Sequence, residues 1–122
     1  MGWVPKIDVI WITRADNGDW LPLELADLSQ VDVVGVYVIW FRGQGHNIVR
    51  VGQGRIAQRL TEHRNDPQVL AFKNSGPLFV TWAELPAQYL DGVERYLADT
   101  LHPLIGDVFP AALPIAVNLP GQ

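Results

Sequence analysis

The chain of 122 residues, 48% of them hydrophobic, has the size and apolar content of one domain with an ordinary buried core. Because it contains no cysteine, disulfides, thiolate metal sites and thiol nucleophiles are excluded, and the net charge of −4 argues against a basic surface over the whole molecule. No apolar run reaches the roughly 20 residues of a membrane span, and residues 1–6 lack a secretory signal pattern. We therefore expect a cytoplasmic protein with no membrane partner.

The first half of the chain predicts mostly extended structure. Residues 7–13 predict a short strand, and residues 22–30 predict one or two helical turns. Residues 33–41 are rich in β-branched and aromatic side chains and predict a buried strand. Turn-forming residues at 43–47 separate this strand from residues 48–51, which resume the same pattern, so the two segments predict a β-hairpin.

In the second half the hydrophobic periodicity becomes mainly helical. After a glycine-rich turn at 52–54, apolar residues four apart predict an amphipathic helix over 56–63. Residues 67–72 predict a second short helical segment, and residues 78–85 predict a third strong strand. The longest helical pattern covers residues 86–102 and is closed by a proline.

The order of these elements predicts an α/β (α+β) fold with a small central three-stranded antiparallel sheet flanked by helices. We find no internal repeat or long linker, so residues 1–122 are expected to form a single domain. Within it, residues 1–33 form an N-terminal extension, residues 34–107 form the core, and residues 108–122 form a C-terminal tail.

Positive charge is concentrated in one stretch of an otherwise acidic chain. Residues 1–41 and residues 65–122 each carry more acids than bases, whereas residues 42–64 carry five arginines and one glutamate. The planar guanidinium of arginine suits two-point contacts with phosphate, so this stretch predicts contacts with nucleic acid. An ordinary solvated face has the same composition. The five residues are Arg42, Arg50, Arg55, Arg59 and Arg64.

Four short motifs follow one another along the core. Residues 35–37 (Gly-Val-Tyr) lie on the first strand of the predicted hairpin, and residues 50–52 (Arg-Val-Gly) lie on the second. Residues 59–63 (Arg-Leu-Thr-Glu-His) fall on the first helix, and residues 93–97 (Val-Glu-Arg-Tyr-Leu) precede Pro103 on the long helix. In type and order these motifs resemble those of the GIY-YIG nuclease family.

The resemblance implies a metal-dependent, endonuclease-like hydrolase that cleaves phosphodiester bonds in DNA. Glu94 would bind one Mg²⁺ (or Mn²⁺) ion, with water and phosphate completing its coordination shell. Arg59 would stabilise the charge of the transition state. Tyr37 would activate or orient water, which requires nearby cations to depress the pKa of its phenol, and His63 would contact a phosphate oxygen or orient water.

Two positions differ from the family pattern. Arg50 stands where the family has its second tyrosine, and it cannot act as a base, although its charge would lower the pKa of Tyr37 or bind phosphate. The family also has a late asparagine that helps to close the site. Because Gly106 and Asp107 follow Pro103 instead, Asn118 is the later candidate for this nucleic-acid contact.

Two other classes of function fit the same residues. A catalytically degenerate domain with this fold would bind nucleic acid or protein without cutting, as the replacement at Arg50 suggests. A purely protein-binding domain is also compatible, since five tryptophans would supply contact area. Domains of this family often take their specificity from an attached DNA-binding module, so we expect a protein partner or a homodimer to supply it here.

Overall fold

The computed structural model describes residues 6–14, 18–43, 47–106 and 108–121. The predicted turn at 43–47 lies partly outside these residues. The strands and α-helices in chain order are β1 (Leu21–Pro22), β2 (Val34–Phe41), β3 (Ile48–Arg55), α1 (Ile56–Arg64), α2 (Pro67–Leu70), β4 (Leu78–Glu84) and α3 (Leu90–Leu101). Short 3₁₀ helices cover Leu23–Leu25, Ala71–Asn74 and Ala87–Tyr89.

The strands form one antiparallel sheet in the order β1-β4-β2-β3. Strand β2 is central, and Tyr37 on it lies opposite Gly52 of β3 on one side and opposite Trp82 of β4 on the other. A mixed α/β fold with an antiparallel sheet flanked by helices is therefore confirmed. The prediction of three strands is wrong, because the two residues of β1 add to the edge of β4, with Leu21 opposite Val80.

Side chains alternate between the two faces of the sheet, and each face is covered by helices. Helix α1 packs on one face and α3 on the other, so that two apolar clusters are separated by the sheet. Burying one such aliphatic side chain stabilises the fold by about 1.5–3 kcal/mol. Fully buried members are Ile39, Val49, Ile56 and Leu60 on the α1 face, and Val36, Val93 and Leu97 on the α3 face. Residues from the two faces meet at the free edge of β3.

Strand β3 is longer than predicted, because the glycines at 52–54 continue it instead of forming a turn. Gly54, with φ of 130°, lies opposite Gly35. A Cβ atom on Gly35 would lie 2.0 Å from the carbonyl oxygen of Ala83 in β4. Glycine is thus required at position 35 so that the backbones of β2 and β4 can pack closely, as happens in strand interiors.

The N-terminal extension contains no strand over residues 7–13, which corrects that prediction. Ile7 forms a single parallel bridge with Val117. The carboxamide of Asn118 accepts a hydrogen bond from the Val9 amide at 2.7 Å and donates one to the Val9 carbonyl at 3.0 Å. The hydrogen-bonding groups of the Val9 backbone are therefore paired with the side chain of Asn118 and not with a neighbouring strand.

The predicted helices are confirmed, α1 with one residue more and α2 and α3 with shorter bounds, and the third strong strand is confirmed as β4. Helix α2 begins where the Asp66 side chain accepts a hydrogen bond from the Gln68 amide, and a 3₁₀ turn follows it. Helix α3 ends at His102, whose φ of 51° is left-handed, just before Pro103. The helical turns predicted over 22–30 reduce to one 3₁₀ turn. Within the described residues, no helix has the length and apolar character needed to cross a bilayer.

Candidate active site

A cavity of about 440 Å³ opens at the edge of the sheet, beside the second half of β3. After α3 the chain returns to the first half of this edge, where the amides of Leu104 and Ile105 donate to the carbonyls of Ile48 and Val49 at 2.9 and 3.0 Å. This cover ends at residue 106. The cavity is lined by Tyr37, Arg50, Val51, Gly52, Gln53, Gly54, Arg59, Glu94, Gly106, Val108, Phe109 and Pro110.

Three of the residues predicted to act in catalysis line this cavity from three different elements. Tyr37 comes from the central strand β2, Arg59 from α1, and Glu94 from α3. Helices α1 and α3 lie on opposite faces of the sheet, so their side chains meet only around the exposed end of β3. Arg50 also lines this cavity.

Tyr37 and His63 form a buried hydrogen-bonded pair, with 2.5 Å between the phenol oxygen and Nε2. Arg50 lies beside the phenol and acts to lower the pKa of Tyr37. The phenol donates to Nε2 of His63 when the neutral imidazole carries its proton on Nδ1. His63 lies behind Tyr37 and is not among the residues that line the cavity. The structure therefore does not place His63 where it would contact a phosphate directly, since it contacts the Tyr37 hydroxyl instead.

Burial governs the protonation of both members of this pair. Burial lowers the pKa of His63 from 6.5 to about 4, and the positive charge of Arg50 acts in the same direction. Burial also raises the pKa of Tyr37 above its usual value, although Arg50 and Arg59 act to lower it. The expected net depression of the Tyr37 pKa by cations is therefore absent. At neutral pH the pair consists of a neutral phenol and a neutral imidazole.

The depressed pKa of His63 predicts a loss of stability in acid. As pH falls below 6.5, His63 becomes protonated in the unfolded chain, whereas in the folded protein it stays neutral down to about pH 4. The free energy of unfolding should therefore fall by something on the order of 3 kcal/mol over this window as pH decreases. Glu94, whose pKa is raised, acts in the opposite direction because the folded protein takes up its proton more readily.

Urea unfolding of the parent and of His63→Gln between pH 7 and pH 4 isolates this histidine. Glutamine does not titrate, and its amide can still meet the Tyr37 hydroxyl. The difference between the two free energies of unfolding should change with pH in the direction just given. An identical pH dependence in both proteins would show that His63 is not the buried neutral group described.

Gly52 provides the space in which the Tyr37 hydroxyl lies. A Cβ atom at this position would be 2.2 Å from the hydroxyl oxygen and 2.4 Å from the ring carbon that bears it. We expect Gly52→Ala to destabilise the protein by about 1–3 kcal/mol and to displace the phenol. In a Tyr37→Ala background the ring is gone and the same change should cost much less. Equal costs in both backgrounds, measured by urea unfolding, would refute this packing argument.

Glu94 is a buried carboxylate that faces the cavity from the apolar side of α3, with 9% of its surface exposed. Burial raises its pKa most strongly, and Asp91 adds to this effect. The side chain of Gln53 hydrogen bonds to Glu94, and also donates to Asp91 at 2.6 Å. No salt bridge in the described part of the chain involves Glu94. Its charge therefore lacks a directly bound cation.

This environment fits the carboxylate ligand of a hydrated divalent ion. Mg²⁺ usually keeps several waters and binds through one or two carboxylates together with substrate phosphates. A cation would offset the cost of burying the charge of Glu94. Among the described residues no group of three or more His, Cys, Asp or Glu side chains is placed to hold a metal. The described residues thus place one carboxylate, that of Glu94, at the cavity and do not enclose a metal with protein ligands.

Two of the predicted phosphate-binding arginines have partners away from the cavity. The guanidinium of Arg42 lies 4.5 Å from the centre of the Phe79 ring, in a cation–π contact. Arg64 donates from Nη2 to the carbonyl of Ala26 at 2.7 Å. An arginine in the sequence is equally compatible with a phosphate contact and with a partner elsewhere in the fold. The sequence therefore could not show which arginines reach the cavity. The structure does not bring either residue to the cavity.

Arg55 and Asn118 also lie outside the cavity. Arg55 is exposed at the start of α1, beside a separate surface depression that includes Asp32. Asn118 uses both ends of its carboxamide on the backbone of Val9. Its role is thus to hold the N-terminal extension, which corrects its assignment as a nucleic-acid contact. An isolated asparagine in the tail carried no sequence signal for this tether.

Sequence reasoning missed two parts of the cavity. Gln53 was assigned to a turn, whereas it lies in β3 and links Glu94 to Asp91. Nothing in residues 52–54 distinguishes this continuation of the strand from a glycine-rich turn. The second part is the wall formed by residues 108–110, for which the predicted tail had no distinguishing pattern.

Comparisons of this chain with protein-family models, with curated proteins and with solved structures found no match. The resemblance to GIY-YIG nucleases is therefore carried by the four motifs of the sequence. The cavity adds an independent observation, since it collects residues from each of these motifs at one place on the sheet edge.

Proposed function

We propose that the protein is a metal-dependent, endonuclease-like hydrolase of phosphodiester bonds in DNA. The observation that carries this proposal is the convergence of Tyr37, Arg59 and Glu94 on one cavity from three elements. Hydrolysis of a phosphodiester requires cations for the developing charge and a route for the proton of the attacking water. The described side chains offer both.

Arg59 and Arg50 are suited to bind the scissile phosphate. The Nε of Arg59 donates to the carbonyl of Gln53 at 3.2 Å, which fixes its side chain against β3. Its Nη1 lies 3.7 Å from Glu62 in a half-exposed ion pair. Such a pair contributes only about 0–1 kcal/mol, so a phosphate can replace the Glu62 carboxylate at little cost.

The Tyr37–His63 pair provides a path for the proton of water. As water attacks phosphorus, its proton passes to the Tyr37 oxygen while the phenol proton passes to Nε2 of His63, and the P–O ester bond to the leaving oxygen breaks. The leaving oxygen takes its proton from solvent. No free phenolate is needed, which agrees with the raised pKa of Tyr37. A phosphate bound to Arg50 and Arg59 offsets the positive charges that help to lower the pKa of His63, so substrate makes this imidazole a better base.

Glu94 would hold Mg²⁺ or Mn²⁺ in its ionised form. When bound, the ion supplies positive charge to the oxygens of the phosphate. Gln53 supports this role because it acts to lower the pKa of Glu94, which favours the charged carboxylate.

The proposal is tested with end-labelled DNA of several structures, incubated with the protein in Mg²⁺, in Mn²⁺ and in EDTA. We expect cleavage that requires the divalent ion and stops when it is chelated. A protein partner or a second copy would add sequence or structural preference without being needed for the chemical step. If no DNA is cut under any of these conditions, the hydrolase proposal fails.

A catalytically degenerate binding module is the second candidate. It is favoured by Arg50 at the position of the second tyrosine and by the raised pKa of Tyr37. Salt-sensitive binding of labelled DNA without cleavage in either metal would support this candidate. The protein-binding alternative has less support, because none of Trp11, Trp20, Trp40 and Trp82, the tryptophans in the described part of the chain, is fully exposed.

A further inference from the structure

The cavity has two chemically different walls. Arg50, Gln53 and Arg59 contribute polar side chains to the lining, whereas Val108, Phe109 and Pro110 contribute a continuous apolar segment, which we call the apolar wall. Val108 is 90% exposed although it lines a cavity that holds charged groups. A phosphate and a hydrated ion interact with the polar side chains and gain no favourable contact from an apolar wall. Its position next to Arg50 and Arg59 indicates a second, apolar part of the ligand.

The apolar wall is held against the phosphate-binding residues. Gly106, with φ of 99°, turns the chain away from β3, and a Cβ atom there would lie 3.5 Å from both the Phe109 ring and Nη1 of Arg50. Phe109 is partly buried against the α3 cluster. Arg50 and Phe109 therefore both lie beside Gly106, at the start of the apolar wall.

Few basic side chains in the described part of the chain are available to bind DNA phosphates at the cavity. In the described part of the chain Arg50 and Arg59 are the basic residues that line the cavity, while Arg42 and Arg64 contact Phe79 and Ala26. Proteins that depend on duplex phosphates typically neutralise about 6–10 of them. Two arginines next to the carboxylate of Glu94 supply much less, so other contacts must contribute to affinity.

The size of the cavity fits a whole nucleotide. Its volume of about 440 Å³ falls in the range of roughly 300–1,000 Å³ that is usual for cavities enclosing small ligands. Unpaired bases stack on aromatic and apolar side chains, and this compensates for few ionic contacts. In a duplex the base is held in its stack and must first be extruded.

We infer that the apolar wall receives the base of an unpaired nucleotide beside the scissile phosphate, so that the substrate class is single-stranded DNA or a single-stranded segment of DNA. This inference rests on the proposed function of the cavity. It predicts a preference for unpaired over paired DNA, a shallow dependence of affinity on salt, and a contribution from the apolar wall that is independent of metal binding.

The experiment uses Glu94→Gln protein, so that DNA is bound without being cut. The probes are oligonucleotides of one sequence that carry 2-aminopurine, either single-stranded or in a fully paired duplex. Val108→Asp tests the wall, and Leu113→Asp is the matched control, because Leu113 is 87% exposed in the same tail but does not line the cavity. Both changes add one negative charge at an exposed position, and circular dichroism verifies folding.

We expect single-stranded DNA to bind at least about tenfold more tightly than the duplex, and binding should quench the 2-aminopurine emission. Val108→Asp should weaken the binding of single-stranded DNA about tenfold, whereas Leu113→Asp should change it less than about twofold. Equal affinity for both DNAs, or equal effects of the two variants, overturns the inference. In that case divalent-dependent cleavage of duplex DNA by the parent would leave the proposed function standing. Absence of all DNA binding and cleavage would remove both.

Discussion

Glu94→Gln is expected to reduce divalent-dependent DNA cleavage by about a thousandfold or more while the fold remains intact. Glu94 is the one acidic residue among the described side chains that line the cavity. A metal ion contributes several kcal/mol to stabilising phosphoryl charge, and each 1.36 kcal/mol corresponds to a tenfold change in rate. Because burial already disfavours the charged form of Glu94, a neutral amide of the same shape should not destabilise α3.

The matched control is Asp99→Asn on the same helix. Asp99 is half-exposed and pairs with Arg95 at 3.2 Å, away from the cavity. Its removal should leave the cleavage rate within about twofold, since exposed pairs contribute about 0–1 kcal/mol. Single-turnover rates in saturating Mg²⁺ and thermal melting of both variants provide the comparison. Cleavage by Glu94→Gln at the rate of the parent would refute the assignment of the metal ligand.

Tyr37→Phe should lower the cleavage rate by roughly 10²–10⁴-fold, the usual contribution of a positioned acid or base. The hydroxyl is the link between the cavity and His63, and removing it leaves Nε2 buried without its partner. We therefore also expect a loss of about 1–3 kcal/mol in the free energy of unfolding. Unlike the metal ligand, this residue affects both rate and stability.

Tyr96→Phe serves as the control for loss of a tyrosine hydroxyl, because Tyr96 lies on α3 but does not line the cavity. Cleavage rates should be measured from pH 5 to pH 9 for the parent and both variants. The Tyr37→Phe protein should be slow throughout this range, and Tyr96→Phe should follow the parent. Parent-like rates in Tyr37→Phe would remove the tyrosine from the proton path.

The elements that a local pattern specifies were predictable from the sequence. Strand β2, helix α1 and strand β4 have strong periodicity, and the structure places them close to the predicted bounds. Strand β1 was missed because two residues give no period, and they pair only because β4 offers an edge. Similarly, residues 7–13 look like a strand, but their partners are the Asn118 side chain and single backbone contacts.

The members of the candidate site were easier to predict than their environment. Tyr37, Arg59 and Glu94 follow from the motifs, and the structure brings them to one cavity. Arg50 and Arg59 act to lower the pKa of Tyr37, as their charges indicate, but the burial of the phenol outweighs them and raises this pKa. Burial depends on tertiary packing, which no linear charge pattern reports. The same reason explains why Arg42 and Arg64 carried the expected charge but lie elsewhere.

The position of a bound divalent ion tests the central claim most directly. Paramagnetic Mn²⁺ broadens NMR signals of nearby nuclei, so a titration of the folded protein locates its site without any assay of cleavage. We predict that the amide signals of Gly52, Gln53 and Glu94 broaden first, and that Glu94→Gln abolishes this effect. Broadening that is centred on other acids, such as Asp99, or that persists unchanged in Glu94→Gln, would contradict a metal site in this cavity.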